Sequence, residues 1–198
     1  MLQPRYLLHT GEGDRFGEAV HHIDVYAFDS LGIYRKMFRD KGAHLKNGYR
    51  MPIDLPEGKW TFLCLGGKVG DYEIGIFKTG IPQQFSPAVS PGITTLSDFR
   101  VKAYFEQKEN LEYSLGELFF GRLDSVEITA DNGGTGVVDL MKNTNKIEVR
   151  VKGIADGSSA RITSDNGRFN SENVTPADAG TIIYVPYYSA SQADDTRV

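Results

Sequence analysis

The stretch HHIDVYAFDSLGIYRKMF, residues 21 to 38, constrains the fold more than any other part of the chain. It reads as two short strands joined by the turn Asp29-Ser30-Leu31-Gly32. Side chains alternate along a strand, so Ile23, Val25 and Ala27 point one way while Tyr26 and Phe28 point the other. Beyond the turn, Ile33 and Met37 alternate with Tyr34 and Phe38. A hairpin of this composition is apolar on both sides and wants cover on both.

Period two with turn punctuation continues along the chain. RYLLH is a candidate first strand, and residues 21 to 28 and 32 to 39 form the opening hairpin. GYRMPIDLPEGKWTFLCLGG predicts a strand, a Pro-Glu-Gly-Lys turn and an apolar strand from Lys59 to Leu65. Residues 66 to 93 are rich in Gly, Pro and Ser and read as a long loop with room for the short strand YEIGIF. In DFRVKAYFEQ, Phe99, Val101, Ala103 and Phe105 share a face opposite Arg100, Lys102 and Glu106. ELFFG is a short element, and the turn Asp131-Asn132-Gly133-Gly134 suits the positive φ of a tight hairpin. NKIEVRVKGI alternates cleanly, and ARITSDNGRF (with another Asn-Gly) and TIIYVPYY supply further strands. No helix longer than a turn or two is predicted. Short strands at regular spacing argue for an all-β sandwich. Residues 1–142 are expected to form one complete domain, and residues 143–198 the truncated start of a second.

The totals narrow the function classes. The chain has 198 residues, 40% hydrophobic and 24% charged, a globular composition with enough length for a sizeable core. Twenty-two basic and 26 acidic residues give a net charge of −4 without long runs, which leaves no footprint for nucleic acid or an anionic membrane. No apolar run approaches the ~20 residues of a membrane helix. The single cysteine, Cys64, rules out an internal disulfide and falls among buried strand positions. The start, MLQPRYLLHTGEGD, lacks the basic head and apolar core of a signal peptide. Read literally that predicts a cytoplasmic chain; a chain whose leader has been cut away reads the same.

Candidate chemistry is sparse. His22 and Asp24 share a strand face, but His21 points away, and His9 and His44 would have to arrive from elsewhere, so a metal site is not expected. Glu106, Glu109, Glu112 and Glu117 cluster around a turn and read as a solvated loop rather than a paired-carboxylate glycosidase. No serine sits in a nucleophile elbow, and Cys64 lacks an electropositive setting. The glycine-rich LCLGGKVGDYEIG has neither a P-loop ending nor a following helix. Asn173-Val174-Thr175 is a glycosylation acceptor only in a secreted eukaryotic protein. Trp60, Tyr26, Phe28, Phe62, Phe119 and Phe120 could line a sugar-binding platform, though core packing explains most of them. No catalytic, cofactor-binding or metal site is therefore assigned, and no cofactor is expected.

Six segments occur in an order that carries a resemblance: IDVYAFDSLGIY, MPIDLPEGKWTFLCLGG, TLSDFRVKAYF, LGELFFGRL, VVDLMKNTNKIEVRVKGI and ITSDNGRFNSEN followed by IIYVPY. Across about residues 16 to 188 the chain resembles the fimbrillin-A-associated anchor proteins, which anchor type V fimbriae in Bacteroidia. The resemblance implies transthyretin-like, immunoglobulin-like Greek-key β-sandwich domains. It implies a non-enzymatic structural protein of the cell outer membrane, exported as a lipoprotein and held by a lipid on an N-terminal cysteine that this chain lacks. Cys64, inside a core strand, cannot stand in for it. The implied partners are fimbrial subunits, joined by strand addition, with the shaft attached and its length limited. The alternative is a carbohydrate-binding β-sandwich module of a surface glycan system, which requires exposed, coplanar aromatics.

Overall fold

Ile23 through Phe28 are all buried, so both faces of the opening hairpin's first strand have found cover. The computed structural model describes residues 1–7, 13–78, 84–103, 115–131, 133–144, 162–164, 167–176 and 182–184. Its elements are β1 (Leu2–Tyr6), α1 (Phe16–Ala19), β2 (His22–Phe28), β3 (Tyr34–Lys41), β4 (Gly58–Gly67), β5 (Tyr72–Lys78), β6 (Gln84–Ser86), β7 (Phe99–Ala103), β8 (Leu118–Ile128), β9 (Gly136–Lys142), β10 (Ile162–Ser164), β11 (Arg168–Asn170) and β12 (Ile182–Tyr184). A six-stranded sheet runs β1-β9-β8-β4-β2-β3, a four-stranded sheet β11-β7-β5-β6, and β10 pairs with β12. The expected all-β sandwich is present.

The six-stranded sheet is covered twice. Its Tyr26, Phe28, Tyr34, Leu63, Leu65, Leu118 and Phe120 pack against Phe99 and Val101 of the four-stranded sheet, joined by Tyr72, Ile74 and Phe169. On the opposite face Ile23, Val25, Ala27, Trp60, Phe62, Cys64 and Phe119 meet Phe16 and Val20, and a strap that contributes Leu45, Tyr49, Met51, Ile53 and Leu55. Within residues 66–93 the short strand YEIGIF is β5, and β6 is a further strand the loop reading did not hold; both belong to the covering sheet. The strap and α1 brace one another at Gly17, whose N–H donates to Asn47 Oδ1 (2.6 Å). A Cβ there would lie 2.7 Å from Lys46 Cα, so the residue must be glycine for the two backbones to approach this closely.

Two bulges reset the side-chain alternation. Ala27 pairs with Lys36 and Phe28 with Tyr34, leaving Arg35 as an extra residue. Tyr34 and Met37 therefore share the face toward the second sheet, and Phe38 lies on the other, not the Ile33–Met37 and Tyr34–Phe38 pairing that unbroken alternation predicts. In β8, Asp124 and Ser125 oppose Thr61 alone, and Ser125 takes φ 56°. That places Leu123 and Val126 on one face.

Other expectations shift in detail. The first strand is Leu2–Tyr6 rather than residues 5 to 9, and residues 8 to 12 lie outside the described residues. Gly133 and Gly134 take φ 58° and 65°, as the hairpin turn requires. ARITSDNGRF divides between β10 and β11, which join different sheets. NKIEVRVKGI lies outside the described residues. β11, from beyond Lys142, pairs with β7 at the edge of the four-stranded sheet.

Phe28 is fully buried and its ring meets those of Tyr34 and Phe99 at 5.7 and 5.9 Å, bridging the sheets. Phe28→Ala is expected to lower stability by about 3–5 kcal/mol in urea denaturation, whereas Leu31→Ser, at a site 81% exposed, should change it by less than about 0.5 kcal/mol.

Candidate interaction surface

The residues weighed for chemistry mostly hold the sandwich together. Asp24 sits fully buried in β2. It accepts two bonds from Arg39, Nε and Nη2 both at 2.7 Å, and one contact with His22 Nε2 at 2.9 Å. A carboxylate so occupied has no oxygen left for an ion. His44 pairs instead with Asp40 at 2.9 Å, and His9 lies outside the described residues. Among the described residues no three His, Cys, Asp or Glu side chains gather as a metal site. Glu117 pairs with Lys142, and Glu106, Glu109 and Glu112 lie outside the described residues. The Asn173 amide is engaged by the Asn143 amide across the junction between β9 and β11.

Cys64 is wholly buried, and that burial pushes its thiol pKa upward, keeping it protonated and unreactive. The six aromatics considered as a sugar platform are all core. Trp60 is 5% exposed with its indole N–H donated to Pro56 O at 3.0 Å, and Tyr26, Phe28, Phe62, Phe119 and Phe120 are no more open. An open cleft of about 550 Å³ beside the β2–β3 turn is lined by Asp29, Arg35, Lys36, Asp54, Leu55, Pro56, Glu57 and Trp60, and four of its five charges pair with one another, Arg35 with Asp29 and Lys36 with Asp54. Burial raises the Asp29 carboxyl pKa, yet the N–H groups of Ile33 and Leu31 and the Arg35 guanidinium outweigh it, leaving Asp29 below the usual range.

What remains for contact with another molecule is sheet edge and sheet face. β3 presents Arg35, Lys36, Arg39 and Lys41 along its edge, a composition that discourages pairing. Its first residue is already bonded to the 92–94 segment, through Tyr34 N–H to Thr94 O and Gly92 N–H to Tyr34 O, both 2.8 Å. β1 carries Pro4, which has no N–H, and its outer side bonds reciprocally with Met51 at 2.9 and 2.8 Å. β6 and β11, three residues each, end the four-stranded sheet. On the outward face of β9, Val137 and Met141 are 46% and 63% exposed, beside Val174 at 53%. Sequence reasoning did not find Arg39 as the partner of Asp24, nor the strap, because the first depends on the Arg35 bulge and the second on non-local packing.

Arg39 is half exposed while Asp24 is not, so removing Arg39 strands a buried charge. Arg39→Ala is expected to cost about 3 kcal/mol in chemical denaturation, several times the loss from Arg35→Ala at its more open ion pair.

Asp40 clasps the strap. It accepts from Tyr49 O–H and from His44, and those bonds hold its carboxyl below the ordinary value. A folded-state carboxyl below its unfolded value adds stability above the unfolded value and loses it as pH falls through the folded one. The gap in melting temperature between the parent and Asp40→Asn is therefore expected to be present above about pH 5 and to close as pH falls below the ordinary carboxylate value of about 3.9.

No curated protein matches the chain by sequence. Among solved structures, a Bacteroides thetaiotaomicron protein described as a candidate polysaccharide-binding protein superposes with TM-score 0.69 at 20% identity, over 94% of this chain and 64% of that one. A candidate adhesin from Bacteroides ovatus gives 0.68 at 24% identity, over 94% and 62%. The fimbrial anchor protein Mfa2 from Porphyromonas gingivalis gives 0.59 at 17% identity, over 92% and 64%. At these identities the likeness shows the fold, and the chain spans less than two thirds of each structure's length. The profile of one family, fimbrillin-A associated anchor proteins Mfa1 and Mfa2, matches residues 1–198. With its sandwich in place and its polar groups spent on structure, the chain belongs to this family of fimbrial anchors, whose role is structural rather than catalytic.

Proposed function

We propose that this protein is a fimbrium-associated protein of the cell surface, an anchor or minor subunit that attaches the fimbrial shaft and limits its length. The family match over residues 1–198 carries this reading. The adhesin and anchor descriptions of structurally similar proteins agree with it. Anchoring would use a lipid on a cysteine ahead of this chain's first residue, in the outer membrane. The partners are fimbrial subunits, and contact is by strand addition, in which main-chain hydrogen bonds supply affinity and alternating side-chain pockets supply register. The short edge strand β6 favours the four-stranded sheet as the acceptor over β3 and β1, whereas Asn170 of β11 already bonds Val174 O through its N–H and Asn173 N–H through its carbonyl. Residues 1–142 form the first domain in this reading, and residues 143–198 begin a second, with β11 packed back onto the first. The carbohydrate-binding alternative loses its aromatic platform with the burial of Trp60 and its five companions.

Deleting the gene in the source bacterium is expected to give overlong fimbriae shed into the medium, counted by electron microscopy. Fimbriae of unchanged length and attachment would overturn the anchor reading. Purified shaft subunits are likewise expected to be retained by immobilised full chain.

A further inference from the structure

One pairing in the fold differs from the rest. β1 and β9 run parallel, with Leu2 against Gly136, Gln3 against Val137, Pro4 against Val138, Arg5 against Asp139 and Tyr6 against Leu140. Every other named strand pair among the described residues is antiparallel. In a parallel pair the two strands start at the same end. The chain enters β1 beside Gly134 and leaves β9 at Lys142, at the opposite end of the sheet.

We propose that β1 and β9 form a force-bearing clamp, loaded in shear by tension that enters ahead of Leu2 and leaves after Lys142. In that geometry the two strands are drawn lengthwise past one another, and all the bonds of the ladder share the load. If the same strands were drawn apart from one end, the bonds would break one at a time. The side chains add resistance to sliding. Leu2 and Tyr6 are 1% and 7% exposed, and the Tyr6 ring meets Phe119 edge-on at 4.8 Å, so neither can move along the strand axis without leaving the core. Arg5 forks onto Asp139 directly across the ladder, one bond at 3.0 Å and a second, shorter one. The outer side of β1 is pinned by the reciprocal Leu2–Met51 bonds, and its far end by Tyr6 N–H to Asp14 Oδ1 (2.9 Å) and Arg15 N–H to Tyr6 O (2.8 Å).

This goes beyond attachment and stands apart from the identity of the partner, because it concerns how the fold responds to load. The test is single-molecule pulling on the full chain, with one handle fused at Met1 and the other on an introduced thiol. Cys64 is buried and does not compete for the handle. With Lys142→Cys the clamp is sheared; with Thr135→Cys, just ahead of β9, it is unzipped. The rupture force is expected to be at least about twofold higher in shear than in unzipping at equal loading rate. Arg5→Ala should lower the shear force and leave the unzipping force nearly unchanged. Should Lys142→Cys disturb its pair with Glu117, Met141→Cys, at an exposed site, gives the same geometry. Equal rupture forces in the two geometries would overturn the clamp while leaving the anchor reading intact.

Discussion

The structure depends on burying both faces of one sheet. A six-stranded layer whose central strands are apolar on each side cannot stand with one face in water, since the exposed face would forfeit about 1.5–3 kcal/mol for each large side chain. Two unlike covers meet that demand, a second sheet on one side and a strap with a short helix on the other. The second sheet supplies regular packing, in which Phe28, Phe99 and Tyr34 interlock at ring distances that favour tilted and edge contacts. The strap has almost no secondary structure and is held by point attachments: the Met51 bridge, the Asp40 cluster, and the backbone contact at Gly17.

The extra residue in the first hairpin ties this burial to electrostatics. Were Arg35 paired with Ala27 instead of bulged out, the register would continue from Phe28–Tyr34 and bring Phe38 opposite Asp24. With the bulge, Arg39 arrives there, and a fully buried carboxylate gains a guanidinium that grips both of its oxygens. The same one-residue shift sends Phe38 to the strap side and keeps Met37 on the side of the second sheet. One bulge thus decides the fate of an ion pair and of two hydrophobic contacts, which is why such irregularities behave as built features of a sheet.

Much of this was legible in the residues. Alternation located β2, β4 and β7 to within a few positions, and the Asn-Gly-Gly turn was recognisable from its need for positive φ. The two-sided demand of residues 21 to 28 was plain, but what met it was not, because covers come from segments distant in sequence. β1 was displaced because Pro4 masks a strand whose parallel partner lies far along the chain. Bulges escape a period-two reading by their nature. The structure shows what several polar and aromatic side chains do: Asp24, Asp40 and His22 are components of packing, and Trp60 is interior.

The outer strand of the covering sheet has a consequence for the order in which the fold can be completed. β7 waits for Phe169, which fills the gap beside Phe120 with ring centroids 5.6 Å apart, and β1 waits for β9. A chain delivered from its amino end therefore exposes greasy strand surface until β9 and β11 have emerged. Secretion of such a molecule calls for a holding factor, or for passage fast enough that collapse with neighbouring copies does not come first.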